Sequence, residues 1–189
     1  MKQFKSRGLF WLFLMVAILE SPGAFSQNYS ISTNAAQLMM LGTVNVRGSI
    51  PVSRHWNADA ALAYNPFTFG KDNNRKYFRR LEFFAGGRYW PWFVNSGWYM
   101  SAYALWAKYA WGGIFTRKSY EGYAYGAKLG GGYALMIDKG INLEFGWGAF
   151  MGINDRSEYS CTKCGTSLGR EKKFIIAPSD LQLGVTILF

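Results

Sequence analysis

The chain has 189 residues, a length that suits one domain, and carries 21 Lys and Arg against 11 Asp and Glu, for a formal net charge of +10. Charged residues make up only 17 % of it and aromatics 19 %, whereas an average soluble domain is roughly 25 % charged. Excess cations can mark nucleic-acid binding, but no motif of that class accompanies them; the expected partner is an anionic lipid or lipopolysaccharide surface, and no nucleic acid.

Many aromatics and glycines without long apolar runs suit a membrane barrel, whose lipid and lumen faces alternate, or a soluble lipid-binding barrel. At the start, Lys2, Lys5 and Arg7 precede an apolar run from Leu9 to Leu19, which Pro22 and Gly23 break. That run is too short for a spanning helix, which needs about twenty residues. Ala24-Phe25-Ser26 reads as a cleavage site, so residues 1–26 are expected to be a cleaved signal peptide and 27–189 a barrel domain. No cysteine follows the run to carry a lipid anchor. The remaining chain has no helical span, and only a closed barrel could place it in a membrane.

Tyr29 to Gln37 reads as a weak first strand, with Ser32 and Asn34 polar. In Thr43 to Val52, Val44, Val46, Ile50 and Val52 alternate with Asn45, Arg47 and Ser49. After a short turn at Ser53-Arg54-His55, Trp56 to Asn65 sets Trp56, Ala58, Ala60, Leu62 and Tyr64 against Asn57, Asp59 and Asn65. Pro66 to Arg79 is expected to be a long polar loop. Arg80 to Trp90 is the fourth strand, with Leu81, Phe83, Ala85 and Tyr89 opposed to Glu82 and Arg88. In the fifth, Trp98 to Trp111, the residues Tyr99, Tyr103, Leu105, Tyr109 and Trp111 share the apolar face, which leaves Lys108 on the inner one.

Gly122 to Leu135 follows, with Tyr123, Tyr125, Leu129, Tyr133 and Leu135 outward and Gly122, Gly126, Lys128, Gly130 and Gly132 inward. Asp138-Lys139-Gly140 is a turn signal. Ile141 to Ile153 alternates most cleanly, and Asn154 to Lys173 is expected to be the longest loop. The last strand, Ser179 to Phe189, carries Leu181, Leu183, Val185, Ile187 and Phe189 at every second position. A closing C-terminal phenylalanine resembles the insertion signal of bacterial outer-membrane barrels.

The sum is eight strands of about ten residues. The expected fold is an all-β, eight-stranded antiparallel up-and-down transmembrane barrel with both termini periplasmic. Aromatics near strand ends, such as Trp56, Tyr64, Tyr89 and Trp111, suit interfacial girdles. Inside, Arg47, Arg88, Lys108 and Lys128 meet Asp59, Glu82, Glu144 and Asp180, four cations against four anions. Unmatched charge in a narrow interior is costly, so a compensated plug is one reading and a narrow ion or proton path the other. Lys71, Arg75, Lys76, Arg79 and Arg80, with Arg170, Lys172 and Lys173, form basic loops that would face lipopolysaccharide phosphates or a surface partner.

Cys161 and Cys164 lie in the longest loop. In an exported chain a local disulfide is the first reading; an inter-chain metal site and a thioredoxin-like role stand behind it. No metal or cofactor is expected. His55 is the only histidine and falls on a periplasmic turn, so no Ser-His-acid arrangement is available at the outer rim, no catalytic residue is assigned, and the protein is not expected to be an enzyme. The rivals are a channel and, behind it, a lipid-modifying enzyme.

The segments Asn65-Pro66-Phe67-Thr68-Phe69, Arg88-Tyr89-Trp90, Tyr123 to Gly126 and Cys161-x-x-Cys164-Gly165, ahead of a strand ending in Phe189, together resemble one family. It is an uncharacterised family of Bacteroidetes outer-membrane proteins, domain of unknown function 3575, and the resemblance covers about Asn34 to Phe189. It implies an outer-membrane barrel and, since some members are associated with fimbrial or surface-structure loci, a fimbrial or other surface protein as partner. It supplies no catalytic residues. The expectation is a monomeric outer-membrane protein with a structural or surface-interaction role.

Overall fold

The computed structural model describes residues 29–39, 42–69, 76–114, 118–160 and 167–189. The leader expected over residues 1–26 lies outside them, as do Lys71, Arg75, Cys161 and Cys164. The elements are β1 (Ser30–Asn34), α1 (Ala35–Met39), β2 (Val44–Pro51), β3 (Trp56–Asn65), β4 (Thr68–Phe69), β5 (Lys76–Tyr89), β6 (Gly97–Gly112), β7 (Ser119–Asp138), β8 (Ile141–Tyr159) and β9 (Ser167–Leu188). Each long strand pairs antiparallel with its neighbours in the chain, and β1 pairs with β9 to close the ring. The two-residue β4 continues the line of β3 along β5. The fold is therefore a closed, eight-stranded antiparallel up-and-down barrel.

The period of two decides which side each residue takes. In β3 the alternation is complete: Trp56, Ala58, Ala60, Leu62 and Tyr64 are exposed, while Asn57, Asp59, Ala61, Ala63 and Asn65 are buried. The Phe189 amide donates to the Tyr29 carbonyl at 2.9 Å, so the first and last described residues meet at one end of the barrel. The connections between β2 and β3, β5 and β6, and β7 and β8 share that terminal end, and the others lie at the far end.

Three features differ from the sequence-based expectation. The first strand stops at Asn34 and α1 follows. The Asn34 Oδ1 accepts from the amides of Ala36 (3.1 Å) and Leu183 (3.0 Å), and its Nδ2 donates to the Leu181 carbonyl (3.2 Å). One side-chain amide thus replaces the next ladder bonds and caps a helix, which is why Asn suits such a boundary.

Where they are described, the segments expected to be loops at 66–79 and 154–173 carry strand, at Thr68–Phe69, Lys76 to Arg79, Asn154 to Tyr159 and Ser167 to Lys173. In the second, Asp155 to Glu158 is polar on both faces, so no alternation marks it, but Asp155 to Tyr159 pairs with Ser167 to Lys172, with a register shift between Glu158 and Tyr159. Pro178 pairs with Ala149 beside a register shift, since Gly148 pairs with Asp180 and Ser179 is left over. A bulge tolerates a residue that donates no hydrogen bond.

The third difference is in β6, whose faces are reversed. Tyr99, Tyr103 and Leu105 are buried, whereas Trp98, Met100 and Trp106 are exposed. Apolar residues occupy both faces of this strand, so its own pattern does not choose. The pairing chooses: Phe83 opposes Trp106 outside, and Phe84 opposes Leu105 inside.

Room for the inward Tyr99 comes from glycines on β7 and β8. Its hydroxyl lies 2.5 Å from where a Cβ on Gly132 would stand and 2.7 Å from one on Gly146. Gly146→Ala is expected to destabilise the barrel by about 1–3 kcal/mol, the usual cost of overpacking. The check is the urea midpoint of protein folded into vesicles, and Tyr99→Phe in the same background should restore part of the loss.

Candidate functional site: the barrel interior and its rim

The interior centres on Arg88, contributed by β5 and fully buried. Its Nε lies 2.6 Å from Asp59 Oδ2 on β3, and its Nη1 lies 3.0 Å from Glu144 Oε2 on β8, across the barrel. Nη2 donates to the Ser49 hydroxyl of β2 at 2.8 Å. Glu144 also accepts from Gln182 (2.6 Å) and Thr186 (2.7 Å) on β9, and Arg47 Nη1 stands 3.4 Å away. The Tyr103 hydroxyl donates to Asp59 at 2.9 Å. Two guanidiniums thus face two carboxylates, and the cluster ties together β2, β3, β5, β6, β8 and β9. Hydrogen bonds between ionised groups are the stronger kind, and the full satisfaction of Glu144 offsets the cost of taking these charges out of water.

Arg47, Asp59, Arg88 and Glu144, all expected inside, therefore share one cluster. Glu82 is also inside and fully buried, but its partner is Arg80. Lys128 is buried, with its Nζ 4.3 Å from the centre of the Phe84 ring. Lys108 is not inside. The reversal of β6 puts it on the outer wall, exposed, with Nζ 5.5 Å from the centre of the Tyr123 ring. Asp180 pairs with Gly148 through the backbone, and its side chain lies outside what is described.

Two parts of the interior were not anticipated. Toward the far end, Ala61, Phe84, Tyr103, Leu105, Ala107 and Phe150 form an apolar cluster. At the terminal end the turn between β5 and β6 folds across the mouth. Trp90 is fully buried, its ring 4.9 Å from that of Tyr99, and Arg88 lies over it at 5.2 Å. Asn95, in the left-handed region at φ 63°, accepts from Asn57 of β3 (3.2 Å) through its side chain and from Asn142 of β8 (2.6 Å) through its carbonyl. Asn tolerates that conformation better than most residues. Trp90-Pro91-Trp92 carried a signal, since so apolar a turn needs something to cover it. His55 sits on the adjacent turn with Nδ1 2.9 Å from the Trp90 carbonyl.

The basic residues expected as one rim patch divide. Lys76 and Arg79 are exposed at the start of β5, and Arg80 turns inward to Glu82. On the β8–β9 hairpin, Arg170 binds Asp155 at 2.6 Å and Arg156 binds Glu171 at 2.6 Å, while Lys172 and Lys173 are exposed. The hydrogen bond from Arg170 holds the Asp155 carboxyl below its ordinary range, and the same bond raises Arg170.

Fold and interior together define a closed β-barrel with a charge-compensated, side-chain-filled core and one plugged mouth. The chain belongs to the family described as protein of unknown function (DUF3575), which matches residues 9–189. No curated protein and no solved structure matches it.

Replacing Glu144 by Gln leaves Arg47 and Arg88 facing one carboxylate. The expected cost is about 3–5 kcal/mol, the range for breaking a buried pair, read as a lower urea midpoint; Glu144→Gln with Arg47→Gln should recover part of it. At the rim, a depressed carboxyl stabilises the folded hairpin fully above its unfolded value near 3.9 and loses that effect as pH falls through the lower folded value. NMR titration should find the Asp155 midpoint below that of Arg170→Gln protein.

Proposed function

We propose that the protein is a small, monomeric outer-membrane β-barrel with a structural or surface-interaction role. In this reading it is exported on the 1–26 leader and has both termini in the periplasm. The observation that carries the reading is the inversion of the molecule. Arg88, Glu82, Glu144 and Asn142 are fully buried, while Trp98, Met100 and Trp147 stand outside at 63 %, 68 % and 72 % exposure. A soluble monomer rarely exposes an apolar patch beyond a few hundred Å², whereas a barrel in lipid needs such a wall.

The distribution along the wall supports the same reading. Trp56, Tyr89, Trp98 and Tyr133 form a band toward the terminal end; Tyr64, Phe83, Trp106 and Tyr125 form one toward the far end. Between them the outward positions are small or aliphatic, such as Ala60, Ala85, Ala104 and Ala127. Trp98 and Trp106 stand eight residues apart, which is about 27 Å along a strand. A tilt of about 40° reduces this to about 20 Å, near the apolar band of about 25 Å in outer-membrane barrels.

The filled interior and the Trp90–Asn95 plug favour a mechanical core over a channel. Function then falls to the far rim, where the β8–β9 hairpin and the cations around β5 would meet lipopolysaccharide or a fimbrial or other surface protein. Membrane-extracted protein should migrate differently on a gel with and without boiling, and it should give no single-channel steps in a planar bilayer. Release from membranes by salt alone would overturn the outer-membrane reading, and stepwise conductance would restore the channel.

A further inference from the structure

We infer that the outer wall formed by β3, β5, β6 and β7 binds one phosphorylated lipid, whose phosphate is held by Arg79 and Lys108. The inference rests on the outer-membrane reading and adds a site and a ligand class to it. Arg79 opposes Ala110 and Lys108 opposes Leu81, so the two cations are diagonal neighbours on the same outer face of adjacent strands. Diagonal neighbours lie about 7–8 Å apart, within reach of long side chains. They line a groove of about 410 Å³ with Tyr64, Pro66, Leu81 and Glu121.

Neither cation has an acidic partner among the described residues. The Arg79 guanidinium donates to the Thr68 hydroxyl at 3.3 Å and stands over the Tyr77 ring; the Lys108 ammonium stands over Tyr123. Four other described cations of the far end are matched, Arg80 by Glu82, Lys118 by Glu158, Arg156 by Glu171 and Arg170 by Asp155, while Lys76, Lys172 and Lys173 are exposed without an ion pair among the described residues. Lys108 lies one outward position beyond Trp106, on the far-end side of that aromatic band. In a bilayer this is the level of the head groups, where a lysine reaches for an anion.

The wall below completes an amphiphile-shaped site. Past Phe83 and Trp106 come Ala85, Ala104, Gly87 and Ala102, which lead into a second, apolar groove of about 770 Å³ beside Tyr89, Met100 and Leu129. A phosphate at Arg79 and Lys108 would set acyl chains along this depression, and Glu121 would accept from hydroxyls of the head group. Those features fit a phosphate on a hydroxylated, acylated head group, which either a phosphorylated glycolipid or a glycerophospholipid can present.

The test uses the full mature protein in detergent, with native mass spectrometry after titration with lipid A, dephosphorylated lipid A and phosphatidylglycerol. Wild-type protein is expected to hold at least one phosphorylated lipid, and Arg79→Gln/Lys108→Gln to weaken it about tenfold or more, as loss of charged hydrogen bonds predicts. Lys139→Gln, on the exposed turn between β7 and β8 at the terminal end, should leave binding unchanged. Preference for lipid A over phosphatidylglycerol assigns the glycolipid; equal binding that still depends on both cations assigns phosphate alone. Equal binding of the dephosphorylated form, or binding indifferent to the Arg79/Lys108 pair, overturns the site. The heat-dependent gel shift is read on the same samples: its presence with binding lost isolates failure to the site, and its absence in wild-type protein removes the membrane reading itself.

Discussion

A guanidinium at the centre of a narrow barrel sets the terms for everything around it. Eight strands enclose a space that side chains alone can fill, and Arg88 lies fully buried within it. Its charge must be met inside, from the neighbouring β3 by Asp59 and from the opposite wall by Glu144. The pair with Glu144 spans the bore, so it bears on the diameter as well as on charge. It bears on register too. A slip of one residue in β3 or β8 would turn Asp59 or Glu144 to the outer face and strand the arginine. Arg47 brings the second positive charge on β2, close enough to the doubly shared Glu144 for the four groups to balance.

The rest of the interior follows from what that cluster leaves open. Above it, aromatic and aliphatic side chains close the space; below it, Trp90 and Asn95 return across the mouth, and Asn95 accepts from opposite walls. Tyr99 fits between the plug and the charges because β7 and β8 give up their side chains at Gly132 and Gly146. The glycines are thus part of the packing, placed where a large inward ring needs the wall to recede. Such an interior is built as a core with a polar centre.

How much of this could be read in the sequence depended on whether a segment had two unlike faces. Strands β2, β3, β7 and β8 do, and alternation places their inward residues, including Arg47, Asp59, Lys128 and Glu144, on the side where they are buried. Strand β6 did not: with Trp98 and Trp106 on one face and Tyr99 and Tyr103 on the other, alternation could not choose, and Lys108 went to the wrong side with it. Ser101 shares its face with Tyr99 and Tyr103, and was the one local hint. The hairpin beyond Asn154 was missed for the opposite reason, both its faces being polar. The plug at Trp90 and Asn95 and the cap at Asn34 depend on contacts with β3, β8 and β9, and no local pattern contains those.

The relocation of Lys108 changes where the positive charge of the molecule matters. Inside the barrel, Arg88 and Arg47 are answered by carboxylates because nothing else can reach them, and at the far end Arg156 and Arg170 are answered within their own hairpin. What remains for the surroundings is on the wall and rim, where Arg79 and Lys108 share a groove above an apolar depression. The described residues answer Arg47 and Arg88 with buried carboxylates but give Arg79 and Lys108 no ion pair, although Glu121 lines the same groove, so the proposed site turns an electrostatic demand outward. On the proposed outer-membrane reading, an anionic amphiphile would meet that demand with its head and cover the wall with its chains, so the same inversion that buries Arg88 would also define what lies against the outside.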